Sequence, residues 1–288
     1  MTVQILLGAM VFIAIAFTIV LVRTAMKRGQ FGINIEATIL GAVTNFFDTL
    51  GIGSFAPTTA WLRFRKLIPD SFLPPVLNAG HALPTVAQGL IFISIVEVDP
   101  KLLAWCIGAA VAGATLGAPF VVRLPARIIQ LFMGLALVIA AGLYAARNLG
   151  MMPGGGDALS LQGELFWIAV GGHFILGALM SLGIGLYAPS LMLLSLLGLN
   201  TRAVFPIMAG ACAFLMPISG IPFALSKRID YKVALGLALG GIPAVIIAAK
   251  IVKELPIETL RWGVAAVVLY TGLTLLYAAS KRTAPATE

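Results

Sequence analysis

Leu50-Gly51-Ile52-Gly53-Ser54-Phe55-Ala56-Pro57 returns later in the chain as Leu182-Gly183-Ile184-Gly185-Leu186-Tyr187-Ala188-Pro189, at an offset of 132 residues. Each copy lies inside an apolar stretch too long for one ordinary membrane span, at 33–62 and 162–198. Two glycines and a proline weaken a helix, so each copy predicts a break inside a membrane segment. Val98-Asp99-Pro100-Lys101 matches Ile229-Asp230-Tyr231-Lys232 at an offset of 131, and Leu124-Pro125 matches Leu255-Pro256 at the same offset. Collinear matches at one spacing predict an internal duplication. The Gly-rich stretch from Met151 to Asp157 separates the copies. The predicted units are an N-terminal transmembrane helix over 1–30 and membrane repeats over 31–150 and 151–288.

Composition agrees with a membrane setting. Of 288 residues 60% are hydrophobic and 10% charged, whereas a soluble domain carries about 25% charged residues. This excludes a cytosolic globular enzyme, and the hydrophobicity excludes a disordered chain. Apolar runs near the length of a span recur throughout, which predicts an all-α integral membrane protein. The formal charge of +8 sits in short Lys and Arg clusters between those runs, the pattern of topology and not of a nucleic-acid-binding face. Cys106 and Cys212 lie in apolar runs without C-x-x-C spacing and read as small buried hydrophobes. The first run, 5–22, is followed and not preceded by Arg23, Lys27 and Arg28. That polarity is opposite to a signal peptide's and predicts a retained helix with its N-terminus outside.

Further spans are predicted at 74–96, 102–122, 126–146, 203–225, 232–250 and 258–279. If each long segment is a re-entrant hairpin, 13 of the 19 Lys and Arg residues fall on the cytoplasmic side; if each spans once, the split is 10 against 9. The positive-inside rule therefore favours hairpins and a cytoplasmic C-terminus. Each repeat is then a broken re-entrant hairpin followed by three transmembrane helices. Three is odd, so the repeats are inverted, a plan that recurs in secondary transporters. Trp61, Trp105, Trp167 and Trp262 fall near predicted segment ends, as an aromatic belt requires.

The breaks are the candidate site. Backbone within the bilayer must be bonded internally unless it lines a cavity. A half-helix N-terminus presents free N–H groups and partial positive charge, which suit an anion. Close helix packing is the other use of such glycines, but duplication at equivalent positions favours binding. The backbone candidates are Gly51, Gly53, Gly183 and Gly185; the side-chain candidates are Asn45, Asp48, Thr49, Ser54, Ser181 and Tyr187, with Thr58, Thr59 and Ser190 nearby. Asn78 and His81 join them from the next span of the first repeat, and His173 precedes the second break. Each histidine either touches substrate and titrates or is a satisfied packing residue. Asp48 and Glu36 are carboxylates inside the predicted membrane segment that holds the first break. Asp48 is the candidate for proton coupling as well as binding, while Glu36 suits the interface. Met180 stands opposite Asp48 in the second copy, so that role is asymmetric. Two histidines without paired carboxylates do not predict a metal site. No catalytic residue, cofactor or enzyme activity is predicted.

These residues resemble the TauE/SafE family, also called the toluene sulfonate uptake permease family. The resemblance rests on a glycine-containing break followed by proline in each of two repeats, and on Leu124-Pro125 and Leu255-Pro256 ahead of each repeat's last helix. It covers roughly residues 33–279. It implies transport of sulfite, organosulfonates or related small anions across a bacterial inner membrane. The expected protein is a secondary transporter working by alternating access, with a small anion and membrane lipids as partners and no nucleic acid. A passive anion channel, a carboxylate substrate and a homodimer remain open at this point.

Overall fold

The computed structural model describes residues 2–151, 156–251 and 257–281. Among them the chain forms eleven α-helices: α1 Thr2–Lys27, α2 Ile35–Thr49, α3 Phe55–Phe64, α4 Leu73–Ile95, α5 Pro100–Val121, α6 Ala126–Asn148, α7 Gly163–Ser181, α8 Tyr187–Leu196, α9 Thr201–Leu225, α10 Tyr231–Ile251 and α11 Ile257–Ser280. The boundaries follow the apolar runs. Helix starts are fixed by side chains: Asn34, Asp99 and Asn200 accept from the N–H groups of Ala37, Lys101 and Arg202, each at 2.9 Å. Leu255-Pro256, Lys253 and Arg282 lie outside the described residues, as does most of the glycine-rich stretch; Gly156 within it donates to the Leu199 carbonyl.

Seven helices among the described residues (α1, α4 with the turn before it, α5, α6, α7, α9 and α10) are long and apolar enough to cross a membrane. The chain is a multi-pass, all-α membrane protein. α3 and α8 have 10 residues each, about 15 Å of helix, half of a hydrocarbon core about 30 Å thick. The arms before them differ. α7 has 19 residues and is long enough to cross, whereas α2 has 15.

α2 and α3 fold back on each other. The Glu36 carboxylate in the first turn of α2 accepts from Trp61 Nε1 at 2.9 Å and from Arg65 Nε at 2.7 Å, at the far end of α3. This places Glu36 at an end of the bundle. α7 and α8 do likewise: Ala158 before α7 pairs with Leu199 after α8.

The dominant packing joins early helices to late ones: α2 with α10, α5 with α7, α6 with α11 and α4 with α9. Small residues let these backbones touch, as membrane helices require in the absence of a hydrophobic drive between them. A Cβ on Gly41, Gly113, Gly177 or Gly240 would lie only 2.3, 2.0, 2.1 or 1.9 Å from the carbonyl oxygen of Leu237, Phe174, Ala110 or Thr38. α4 and α9 form the buried centre, and α1 leans on them through Met10 against Gly89 and Phe17 against Gly220. The outer face of α1 exposes Phe12, Ile15 and Ile19.

One end of the bundle is stitched by arginines to helix carbonyls, a favourable place for cations at helix C-termini. Arg28 donates to the Leu225 and Ser226 carbonyls, Arg228 to that of Leu124, and Arg127 to that of Ala279 at 2.9 Å. Arg63 pairs with Asp70 at 3.1 Å at the same end.

Candidate functional site

The two breaks are built alike. At the end of α2 the N–H of Ile52 donates to the Phe47 carbonyl at 3.1 Å, and that of Gly51 to the Asp48 carbonyl at 2.8 Å, with Gly51 at φ +82°. At the end of α7 the N–H of Ile184 donates to the Leu179 carbonyl at 3.3 Å, and that of Gly183 to the Met180 carbonyl at 2.9 Å, with Gly183 at φ +88°. These are paired Schellman caps, and the left-handed residue in each is glycine because a Cβ there would be strained. The chain turns again at Gly53 or Gly185 and starts α3 or α8. Pro57 and Pro189 are the third residues of those helices, where a missing N–H breaks no helical bond.

The starts of α3 and α8 meet reciprocally. A Cβ on Gly53 would lie 4.0 Å from Cβ of Tyr187, and one on Gly185 would lie 3.5 Å from Cβ of Phe55. Gly53 and Gly185, and Phe55 and Tyr187, are equivalent at the 132-residue offset. Both starts face a cavity of about 350 Å³. Asp48, Gly53 and Ser54 line it from the first break; Gly183, Gly185 and Tyr187 line it from the second. Thr85 and Tyr144 add polar atoms, and α6 and α7 supply a long apolar wall. Among the described residues nothing accepts from the N–H of Gly53 or Gly185.

A buried glutamine ties the two breaks together. Gln88 Nε2 donates to Asp48 Oδ2 at 2.9 Å and to Thr49 Oγ1 at 3.0 Å, while its Oε1 accepts from the Tyr187 hydroxyl. The Ser54 N–H and hydroxyl also face the Asp48 carboxyl. Thus Asp48, which closes α2, also caps α3. Met180 holds the equivalent place in the second break, so α8 has no such carboxylate at its start. The Tyr144 hydroxyl donates to the Ile52 carbonyl and fixes the first turn against α6.

Six of the twelve residues expected at the site line the cavity: Asp48, Gly53, Ser54, Gly183, Gly185 and Tyr187. The others stand behind it. The N–H of Gly51 is spent on its cap, as is that of Gly183, which corrects their expected role as anion donors. Asn45 Nδ2 donates to the Gly41 carbonyl at 2.7 Å, Thr49 Oγ1 to that of Asn45 at 2.9 Å, and Ser181 Oγ to that of Ala114 at 3.0 Å. Their donors serve the helices. Asn78 Nδ2 bridges the Pro74 and Met180 carbonyls at 2.9 and 3.1 Å. His81 is held between Asn45 Oδ1 and Thr58 Oγ1, each at 3.1 Å, and His173 between Ser190 Oγ at 3.0 Å and the Ala169 carbonyl at 2.8 Å. Both histidines are satisfied and away from the cavity.

Gln88, Thr85 and Tyr144 escaped the sequence reading. Asn78, His81, Thr85 and Gln88 recur at helical spacing along α4, so the polar stripe that exposed the first two extends to the others. Tyr144 carries no comparable signal; it lies in an ordinary apolar span.

No curated protein and no solved structure matches the chain. The family model described as sulfite exporter TauE/SafE matches residues 39–275, from within α2 to within α11. That match takes in both breaks, the cavity between them and the paired helices that hold them, and with it the chain belongs to the TauE/SafE sulfite exporter family.

Proposed function

We propose that this protein is a secondary transporter that moves a small anion, sulfite or an organosulfonate, across a bacterial inner membrane. The anion sits between the starts of α3 and α8, and the two halves of the chain are inverted repeats that rock against each other. The observation that carries this reading is the reciprocal meeting of the two breaks at one cavity. The packing pairs support it: exchanging the halves turns α2 with α10 into α7 with α5, and returns α4 with α9 and α6 with α11 to themselves. The arginine-stitched end supports a cytoplasmic assignment for that face under the positive-inside rule, with the N-terminus of α1 outside.

The two half-helix starts have different jobs. Each contributes partial positive charge, which attracts an anion by ~0.3–1 kcal/mol at an exposed terminus and more when partly buried. The start of α8 is open to the substrate. The start of α3 is occupied by Asp48 in cis. Protonation of Asp48 removes the competing charge and lets the anion engage both starts, which couples proton and anion movement.

Exchange of labelled sulfite into sulfite-loaded liposomes tests the reading. Counterflow is expected; conductance without counterflow supports a channel instead. Gly185 has an ordinary backbone, and a Cβ there meets only Phe55 at 3.5 Å. Gly185→Ala therefore retains exchange, whereas Gly185→Leu projects between the half-helices and lowers it at least tenfold. Equal rates for the two variants would place the substrate elsewhere. Asp48→Asn should exchange methanesulfonate, whose single charge does not change over the range, at a rate independent of pH while the wild type varies; matching pH profiles would remove Asp48 from coupling.

A further inference from the structure

The cavity does not stop at the breaks. Its long wall runs along α6 from Phe132 to Tyr144, about 18 Å of helix. α6 packs its Gly134 and Val138 face on Gly272 of α11, and α7 packs Gly177 on Ala110 of α5. The two helices are thus drawn away from each other toward opposite partners, and the cavity fills the cleft between them. Its outer lining includes Phe132, Leu135 and Ile139, which are 42%, 50% and 53% exposed. In a membrane protein such exposed apolar residues face lipid tails.

We infer that this cleft is a lateral portal through which an alkyl-chain monoanion reaches the breaks from the bilayer, its head at Gly53 and Gly185 and its chain along α6. The inference rests on the anion-transport reading and names the shape of the substrate. The chemistry of the lining favours this occupant. Among the described residues no Lys or Arg lines the cavity, so a doubly charged, hydrated oxyanion entering it is poorly compensated for lost water. With Asp48 protonated, a single charge at the two helix starts is matched, and each methylene of a tail gains by leaving water for the wall.

Displacement of labelled sulfite, held as singly charged hydrogensulfite in mild acid, from the purified protein in nanodiscs, by methane-, butane-, hexane- and octanesulfonate at measured free concentrations, decides the matter. Octanol serves as the headless control. The half-displacing concentration should fall about fourfold per added methylene, and octanol should not displace. Leu135→Trp and, independently, Ile139→Trp fill the mouth of the cleft; either should flatten the chain-length series while methanesulfonate displaces as before. A flat series in the wild type, displacement by octanol, or a Trp variant that weakens methanesulfonate and octanesulfonate alike would overturn the portal while leaving anion binding intact. Absence of any sulfite binding to the wild type would overturn the transport reading, and the portal with it.

Discussion

Gly240→Ala is expected to leave little folded protein after detergent extraction. The added methyl would lie 1.9 Å from the Thr38 carbonyl oxygen, and a methyl on Gly236, one turn earlier, would lie 2.6 Å from that of Asn34. Both obstacles are backbone atoms of the opposing segment, so no side-chain rotation relieves the clash. α2 and α10 must separate along their length, and Gly41 loses its contact with the Leu237 backbone. Overpacking of this kind costs about 3 kcal/mol, against which alanine returns about 1 kcal/mol of helix propensity. The thermal midpoint and the monodisperse fraction should both fall. Gly108→Ala and Gly142→Ala make the same exchange in helices where nothing lies within 4 Å of the new methyl. They should match or exceed the wild-type midpoint. A wild-type midpoint for Gly240→Ala would mean that α2 and α10 do not pack this closely.

Gln88→Leu is expected to abolish measurable transport while the protein still folds. The glutamine is fully buried, and its one amide group serves Asp48, Thr49 and Tyr187 together. Leucine preserves the bulk but takes a partner from each of the three: Asp48 keeps Ser54 and Thr49 keeps the Asn45 carbonyl, while the Tyr187 hydroxyl is stranded. A stranded buried hydroxyl costs about 1–3 kcal/mol and the Asp48 carboxyl loses a donor besides, and tenfold in rate needs only about 1.4 kcal/mol if part of that cost falls on the transport step. Gln88→Glu separates geometry from charge. It keeps an acceptor for Tyr187 but sets a second carboxyl against Asp48, and two facing carboxylates do not both ionise readily. Transport by that variant should be low at neutral pH and partly recover in acid, where Gln88→Leu stays inactive. Wild-type rates for Gln88→Leu would show that the tie between the breaks is dispensable.

Much of the architecture was legible because the bilayer imposes simple rules. Apolar runs gave helix boundaries close to those observed, as at Leu73–Ile95 and Thr201–Leu225. Repeated glycines and prolines located both breaks. Glu36 pairs with Arg65 at 2.7 Å, a partner that no local pattern disclosed. What the residues did not disclose was the destination of each N–H group. Gly51 and Gly183 were read as helix breakers that free donors, yet a glycine at a helix end also completes a cap, and that cap consumes its donor. Asn45, Thr49 and Ser181 were similarly read as free hydroxyls and amides, while the nearest carbonyls on their own or neighbouring helices claim them. Gln88 was hidden because its partners come from α2 and α8, and only the tertiary fold brings those together.

The pairing of early helices with late ones also governs how the protein is made. α2 begins at Ile35 and its partner α10 at Tyr231. At a synthesis rate of ~5–20 residues per second, α2 waits about 10–40 s for that partner. During the wait Thr44, Asn45 and Asp48 lack the shelter of the finished bundle. A lipid-facing carboxyl is costly, so the nascent first half depends on the insertion machinery to hold its polar face until the second half arrives. Ribosome stalling after α6 should therefore trap an intermediate open to proteolysis at the α2–α3 turn, and release of the stall should restore protection.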